Sequence, residues 1–215
     1  MGSDHVNLET THLEKDLGIN VDPELKFSKH VEIQVNKANK ILGLIRRSYD
    51  YMDGEILKYL YVSLVRPHLE FGNAVWSPRL IKDKNLIENV QRRATKLVPD
   101  FKDIPYEERL KRLKLPSMCY RRSRGDMIEC YKYTHGQYLV NQDLLPRDID
   151  GVTRGHNLKL KKRFCNTTVR HSFFSFRVVD TWNKLPPKVV NAPTLNSFKN
   201  RLDKLWSKSM YETDL

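Results

Sequence analysis

The sequence predicts a mainly α-helical protein, and three observations carry that expectation. Apolar residues recur at three- and four-residue intervals in several segments, the spacing that aligns them on one helix face. Capping residues stand before those segments and prolines after them. Hydrophobic residues make up 40% and charged residues 30%, a balance that fits a folded, very polar chain and excludes outright disorder.

Residues Met1 to Thr11 read as a frayed start. In Leu17 to Val21, Leu17, Ile19 and Val21 alternate with Gly18 and Asn20, a short strand signal. Asp22-Pro23 reads as a turn, and a second short extended piece is expected after it. Two such strands are marginal without further sheet partners, so their sheet is expected to lie outside this chain.

Three helices follow. Val31, Val35, Ala38, Leu42 and Ile45 form the first stripe, with Ser28 as the expected N-cap. Asp53 is the expected cap of the second, whose stripe is Ile56-Leu57, Leu60-Tyr61 and Leu64-Val65. Pro67 should kink or end it, because proline lacks the N–H and clashes with the preceding turn. The third stripe is Ile87, Val90, Ala94 and Leu97, stopped by Pro99. Three amphipathic helices with modest loops make a small bundle.

A short helix is expected from Pro105 to Leu115. A longer one, capped by Ser117, should run to about Tyr138 with Met118, Ile128 and Tyr131 near one face. Val140 to Gly155 reads as loop. Leu158 to Phe164 alternates apolar and basic residues, a weak strand signal. Phe173 to Trp182 is helix-compatible and Leu185-Pro186-Pro187 breaks it. Thr194 should cap a last helix with Leu195, Phe198, Leu202 and Leu205 on one face.

The formal net charge is +12, which predicts attraction to nucleic acid or another anionic surface. Its distribution matters more. Arg154 to Met210 holds 13 Lys/Arg against Asp180 and Asp203, so 13 − 2 = +11. Lys82 to Arg124 is a second basic stretch. Three clusters are the candidate phosphate-contacting sites: Arg92, Arg93 and Lys96; Arg121, Arg122 and Arg124; and Lys159, Lys161, Lys162 and Arg163, with Phe164 beside it as a stacking surface. A solvated helix face or a nuclear-localisation string is the bland alternative for any one of them.

Other chemistries find little support. Asp16 and Asp22 read as turn residues and Glu107-Glu108 as a helix first turn. Cys119, Cys130 and Cys165 include no C-x-x-C pair, and their spacings to His135, His156 and His171 match no standard zinc module. Neither G-x-x-x-x-G-K-S/T nor G-x-G-x-x-G is present. No cofactor or metal is therefore expected. An odd cysteine count, a polar N-terminus and interrupted apolar runs predict an intracellular protein of nucleus or cytoplasm without a membrane span.

Several segments, in order, resemble a known family. They are Leu17-Gly18-Ile19 through Asp22, Leu25, Phe27, Ser28 and His30; Arg46-Arg47; Leu64-Val65-Arg66-Pro67-His68-Leu69-Glu70-Phe71; and Val75-Trp76-Ser77-Pro78. Val90-Gln91-Arg92-Arg93-Ala94-Thr95-Lys96 follows, then Tyr106-Glu107-Glu108-Arg109-Leu110 and Arg121-Arg122. Phe173-Phe174, Arg177-Val178, Trp182-Asn183-Lys184-Leu185-Pro186 and Phe198-Lys199 complete the pattern. From Leu13 to Leu205 the chain resembles the thumb and C-terminal region of a jockey-like non-LTR retrotransposon (LINE) reverse transcriptase, with the palm catalytic domain missing.

The resemblance implies that Arg92, Arg93 and Lys96 sit on thumb helices that grip a template–primer duplex. The family's catalytic residues cannot be carried over. Its palm holds two metal ions, for which the intact enzyme would need Mg, on carboxylates that include an aromatic-Ala-Asp-Asp turn. This sequence has no Asp-Asp dipeptide, and the family's endonuclease domain is absent too. The expected organisation is a β-hairpin stub from the palm end (residues 1–28), a three-helix thumb-like bundle (29–100), connecting helices and loop (101–150) and a basic helical C-terminal domain (151–215). The expected function is non-catalytic binding of RNA, DNA or an RNA–DNA hybrid as part of an RNA-directed DNA polymerase, with a possible contact to the missing palm. The competing expectation is a helical protein-interaction module, or an inert remnant that binds no nucleic acid.

Overall fold

The computed structural model describes residues 10–139, 144–149 and 155–213. The protein is mainly helical, with a two-stranded antiparallel hairpin at its N-terminal end. The hairpin pairs β1 (Glu14–Asp16) with β2 (Ile19–Val21). The partner of β2 thus precedes it, and the extended piece expected after Asp22-Pro23 is not a strand. The two-residue turn explains the pairing: Leu17 and Gly18 both have positive φ (45° and 87°), the conformation of a tight type I′ connection. Beyond β2, the Asp22 carboxylate accepts hydrogen bonds from the backbone N–H groups of Glu24, Lys26 and Phe27, which fixes the loop.

Helix α1 (Ser28–Ser48) buries all five residues of its predicted stripe. Ser28 is not its N-cap. Its hydroxyl donates to the buried Asp83 carboxylate at 2.6 Å and ties α1 to a later helix. Asp53 caps α2 (Gly54–Leu60) by accepting from Ile56 N–H at 2.8 Å. Pro67 does not end this helix. A π turn (Tyr61–Val65) leads directly into α3 (Arg66–Glu70), which carries the proline at its second position, where a missing N–H costs little. Next comes α4 (Asn73–Trp76), preceded by Gly72 at φ +68°. A Cβ there would come within 2.8 Å of Ile19 Cδ1, so glycine allows the hairpin to lie against the turn between α3 and α4.

Helix α5 (Ile81–Thr95) packs along α1 and buries Ile87, Val90 and Ala94. A 3₁₀ turn (Pro99–Phe101) and α6 (Tyr106–Leu113) follow. Helix α7 (Met118–Thr134) starts at the Ser117 cap, whose Oγ accepts from Tyr120 N–H at 3.1 Å. It stops four residues short of the expected Tyr138 and runs past Gly125 without a break. The remaining helices are α8 (Thr168–His171), α9 (Phe174–Asn183), α10 (Pro187–Val190) and α11 (Leu195–Leu205), the last capped by the Thr194 hydroxyl. Leu158 to Phe164 does not form a strand; only Leu160 makes a single β-bridge, to Arg147. Residues 1–9, 140–143 and 150–154, where a frayed start and part of a loop are expected, lie outside the described residues.

Two hydrophobic clusters result. The first gathers the hairpin and α1 through α6 with Met118, around the buried Trp76, Tyr61 and Leu57. The second gathers Met127, Cys130 and Tyr131 of α7 with α9, α10 and α11, around Trp182 and Phe198. Helix α7 serves both, one end in each, so the gap between the cores falls inside it. None of the boundaries expected at residues 28, 100 and 150 coincides with that gap. Among the described residues no helix is long and apolar enough to cross a membrane.

Candidate nucleic-acid interface

The string from Val90 to Lys96 divides cleanly in three dimensions. Val90, Gln91, Ala94 and Thr95 are buried, whereas Arg92, Arg93 and Lys96 are exposed. Gln91 is fixed by a polar network: it accepts from Tyr61 Oη at 2.8 Å and donates to the Pro116 carbonyl at 3.0 Å. Glu88, one turn earlier and also buried, accepts from Tyr106 Oη at 2.6 Å and from Met118 N–H. Burial and the nearby Glu88 carboxylate raise the Tyr61 and Tyr106 phenols well above their ordinary range, so both remain donors. This network locks the rotation of α5 and thereby decides which cations face outward.

Arg93 and Lys96 face a groove of about 880 Å³ between the C-terminal half of α1 and the end of α5. Arg46, from the last turn of α1, and Lys102, just after the 3₁₀ turn, line the same groove. Among the described residues Asp50 is the one carboxylate on its wall, so four cations meet one anion. The Arg93 guanidinium donates to Asn39 Oδ1 at 2.9 Å, a neutral partner that orients it and leaves its charge uncompensated. Tyr49 at the rim adds an exposed aromatic ring. Arg92 points elsewhere: its guanidinium stacks over the Tyr106 ring, 4.6 Å from the centroid, facing α6. The predicted trio therefore splits, and Arg46 and Lys102 replace Arg92 at the groove. Only the terminal Arg46-Arg47 pair of α1 hinted at this from sequence.

The second predicted cluster is not an open patch. Arg121 forms a two-armed ion pair with Glu70 of α3, and Arg124 forms one with Asp203 of α11. Tyr120 Oη donates to the same Asp203 at 2.8 Å. Those bonds from Arg124 and Tyr120 hold the Asp203 carboxyl below the usual carboxylate range, even though its burial pushes the other way. Arg122 is buried at 6% exposure. Arg121 and Arg124 join α7 to its neighbours and are spent on carboxylates.

The third cluster stays on the surface. Lys161, Lys162 and Arg163 are exposed and Lys159 is half-buried, with Phe164 beside them at 89% exposure. Lys162 forms an exposed ion pair with Asp180. The structure does not bring this cluster to the α1–α5 groove wall. Cys119 and Cys130 are buried, and burial raises the Cys130 thiol well above its ordinary value, which suits a packing role. Among the described residues no group of three or more His, Cys, Asp or Glu side chains is placed to hold a metal ion. No family model, curated protein or solved structure matches the chain.

Proposed function

We propose that this chain is a non-catalytic nucleic-acid-binding module, the thumb and C-terminal part of a non-LTR reverse transcriptase, which holds template–primer in the groove between α1 and α5. The convergence of Arg46, Arg93, Lys96 and Lys102 on one groove with a single carboxylate carries the reading. Phosphates spaced along a backbone satisfy such a row without sequence preference. The exposed lysine-rich segment with Phe164 offers a second basic surface for a single-stranded end, with the ring as a stacking platform. The sequence resemblance supports the same reading, and in it the polymerising carboxylates and their Mg belong to a palm outside this chain.

One observation favours a protein partner on another face. Leu17 at the hairpin tip, Phe71 and Val75 are 87%, 61% and 57% exposed, and a Cβ on Gly18 would touch Phe71 at 3.4 Å. In this reading that apolar patch is where a palm would sit.

The test is binding of the purified chain to labelled RNA–DNA hybrid, single-stranded RNA and duplex DNA across a salt series. The expected result is binding that weakens steeply with salt. The log–log slope should be shallower by about one in each of Arg93→Ala and Lys96→Ala, since each removes one phosphate-binding cation. Absence of binding at low salt sinks the nucleic-acid reading and leaves the apolar patch as the functional surface.

A further inference from the structure

A second cavity, of about 460 Å³, lies on another side of the molecule, where the α4–α5 connection, α5, α7, α8 and α9 meet. Its lining includes Arg79, Lys84, Arg122 and Arg177 against the single carboxylate of Asp126, so 4 − 1 = +3. Arg177 and Asp126 neutralise each other, with both Nε and Nη2 of the arginine 2.8 Å from the carboxylate. Arg177 also donates to the carbonyls of Asn73, Ala74 and Ser172, which engages all three of its nitrogens. The other three cations have no such hydrogen-bonded carboxylate, although the Arg122 charge also favours the ionised Asp126. Arg79 donates to the neutral Thr168 hydroxyl at 2.8 Å, and among the described residues neither it nor Lys84 nor Arg122 forms an ion pair. Arg122 is 94% buried by its 6% exposure, and its Nη1 is buried with no hydrogen-bond partner.

A buried guanidinium with an idle donor is costly, because water has been removed and nothing has replaced it. An anion entering beside it restores charge-assisted hydrogen bonds that a neutral ligand cannot supply. We propose that this cavity is a phosphate site, in which Arg122 supplies the buried charge and Arg79 and Lys84 close over the anion from the rim. The planar fork of Arg122 suits two oxygens of a tetrahedral phosphate, and the Thr168 hydroxyl offers Arg79 a hand-over partner when the site is empty. The phosphate belongs either to a nucleic-acid terminus or to a free small anion; both present the same oxygens. The site is separate from the α1–α5 groove, so it stands whether or not that groove holds template–primer. Occupancy would also fasten α7 to the α4–α5 connection, the seam between the two cores.

The experiment is thermal unfolding of the full chain in inorganic phosphate against sodium chloride at matched ionic strength, together with the Nε–H resonance of Arg122 during titration. Phosphate should raise the melting temperature of the parent chain and shift that resonance. Arg122→Gln should weaken phosphate affinity about tenfold or more, and Arg79→Ala and Lys84→Ala should weaken it in the same direction. The rim variants decide the matter if Arg122→Gln fails to fold. Equal stabilisation of the parent and the rim variants, with no shift of the resonance, is general salting-out and overturns the proposal. Oligonucleotides with a 5′-phosphate or a 5′-hydroxyl then name the source: a shift with the phosphorylated one alone assigns a terminus, and a shift with inorganic phosphate alone assigns a small anion. Arg93→Ala and Lys96→Ala should leave every one of these readings unchanged.

Discussion

The arginines at the end of α5 and those near the start of α7 look alike in sequence and differ in what they do. Arg92-Arg93 with Lys96 and Arg121-Arg122 with Arg124 are both tight basic runs on amphipathic helices. On α5 the nearest partners are neutral or aromatic, Asn39 and Tyr106, and the charges remain available. On α7 the partners are carboxylates, Glu70 lying 51 residues before Arg121 and Asp203 lying 79 residues after Arg124. A basic run therefore stays an uncompensated surface or becomes an internal clasp according to which distant acid the fold delivers to it. A count of charges along the chain treats the two as equivalent.

Removing cations from each region should separate them. Arg177→Ala is the largest expected effect, about 3 kcal/mol of unfolding free energy in a denaturant titration at neutral pH. It strips the buried Asp126 of its ion-pair partner and takes a hydrogen bond from the carbonyls of Ala74, Ser172 and Asn73, of which Asn73 keeps the Ser77 N–H. Burial already pushes the Asp126 carboxyl up, with Arg177 opposing, so the variant's loss should shrink as the pH falls and the carboxyl takes up a proton.

Arg121→Ala and Arg124→Ala come next, at about 1–2 kcal/mol each, reduced from the value for a buried pair because both ion pairs are partly solvated. Arg93→Ala and Lys96→Ala should stay within about 0.5 kcal/mol of the parent, since they release no buried group. In nucleic-acid binding the order should reverse, with the α5 variants losing affinity and Arg121→Ala and Arg124→Ala keeping it. Equal stability losses in both sets would erase the distinction drawn between the helices.

A pH-dependent effect concerns the base of the hairpin. His30 is fully buried against Trp76, its Nδ1 accepting from Asn20 N–H at 3.1 Å. Burial, with a lesser push from Lys37, lowers its pKa to about 4. An unfolded histidine titrates near 6.5, so between that value and about 4 the unfolded chain binds the extra proton. The stability from a neutral His30 is complete above pH 6.5 and is lost progressively as the pH falls from there to about 4. Replacing His30 with Gln should flatten that part of the stability–pH curve; an unchanged curve would mean that other groups set the acid limb.

Much of the helical organisation was legible because its signals are local. The stripe of α1, the Asp53, Ser117 and Thr194 caps and the stop before Pro99 all follow from spacing and side-chain chemistry within a few residues. Misplaced elements depended on something farther away or subtler. Pro67 was absorbed by a π turn, and Ser28 was drawn from capping by Asp83, 55 residues on. The strand pairing of β2 was set by a Leu17-Gly18 turn whose positive φ at a leucine has no clear sequence mark.

The sequence by itself determined that the protein is helical, that its charge is concentrated in the middle and last third, and that Arg93 and Lys96 stand on the polar side of their helix. Those properties depend on residue type and on periods of three to four residues, which a chain carries wherever it folds. Only the tertiary structure decided that Arg46 and Lys102 join them, that Arg92 turns to Tyr106, and that Arg121 and Arg124 are spent on Glu70 and Asp203. Electrostatic availability depends on distances between side chains remote in sequence. Those distances exist only once packing of the two cores onto α7 has fixed them.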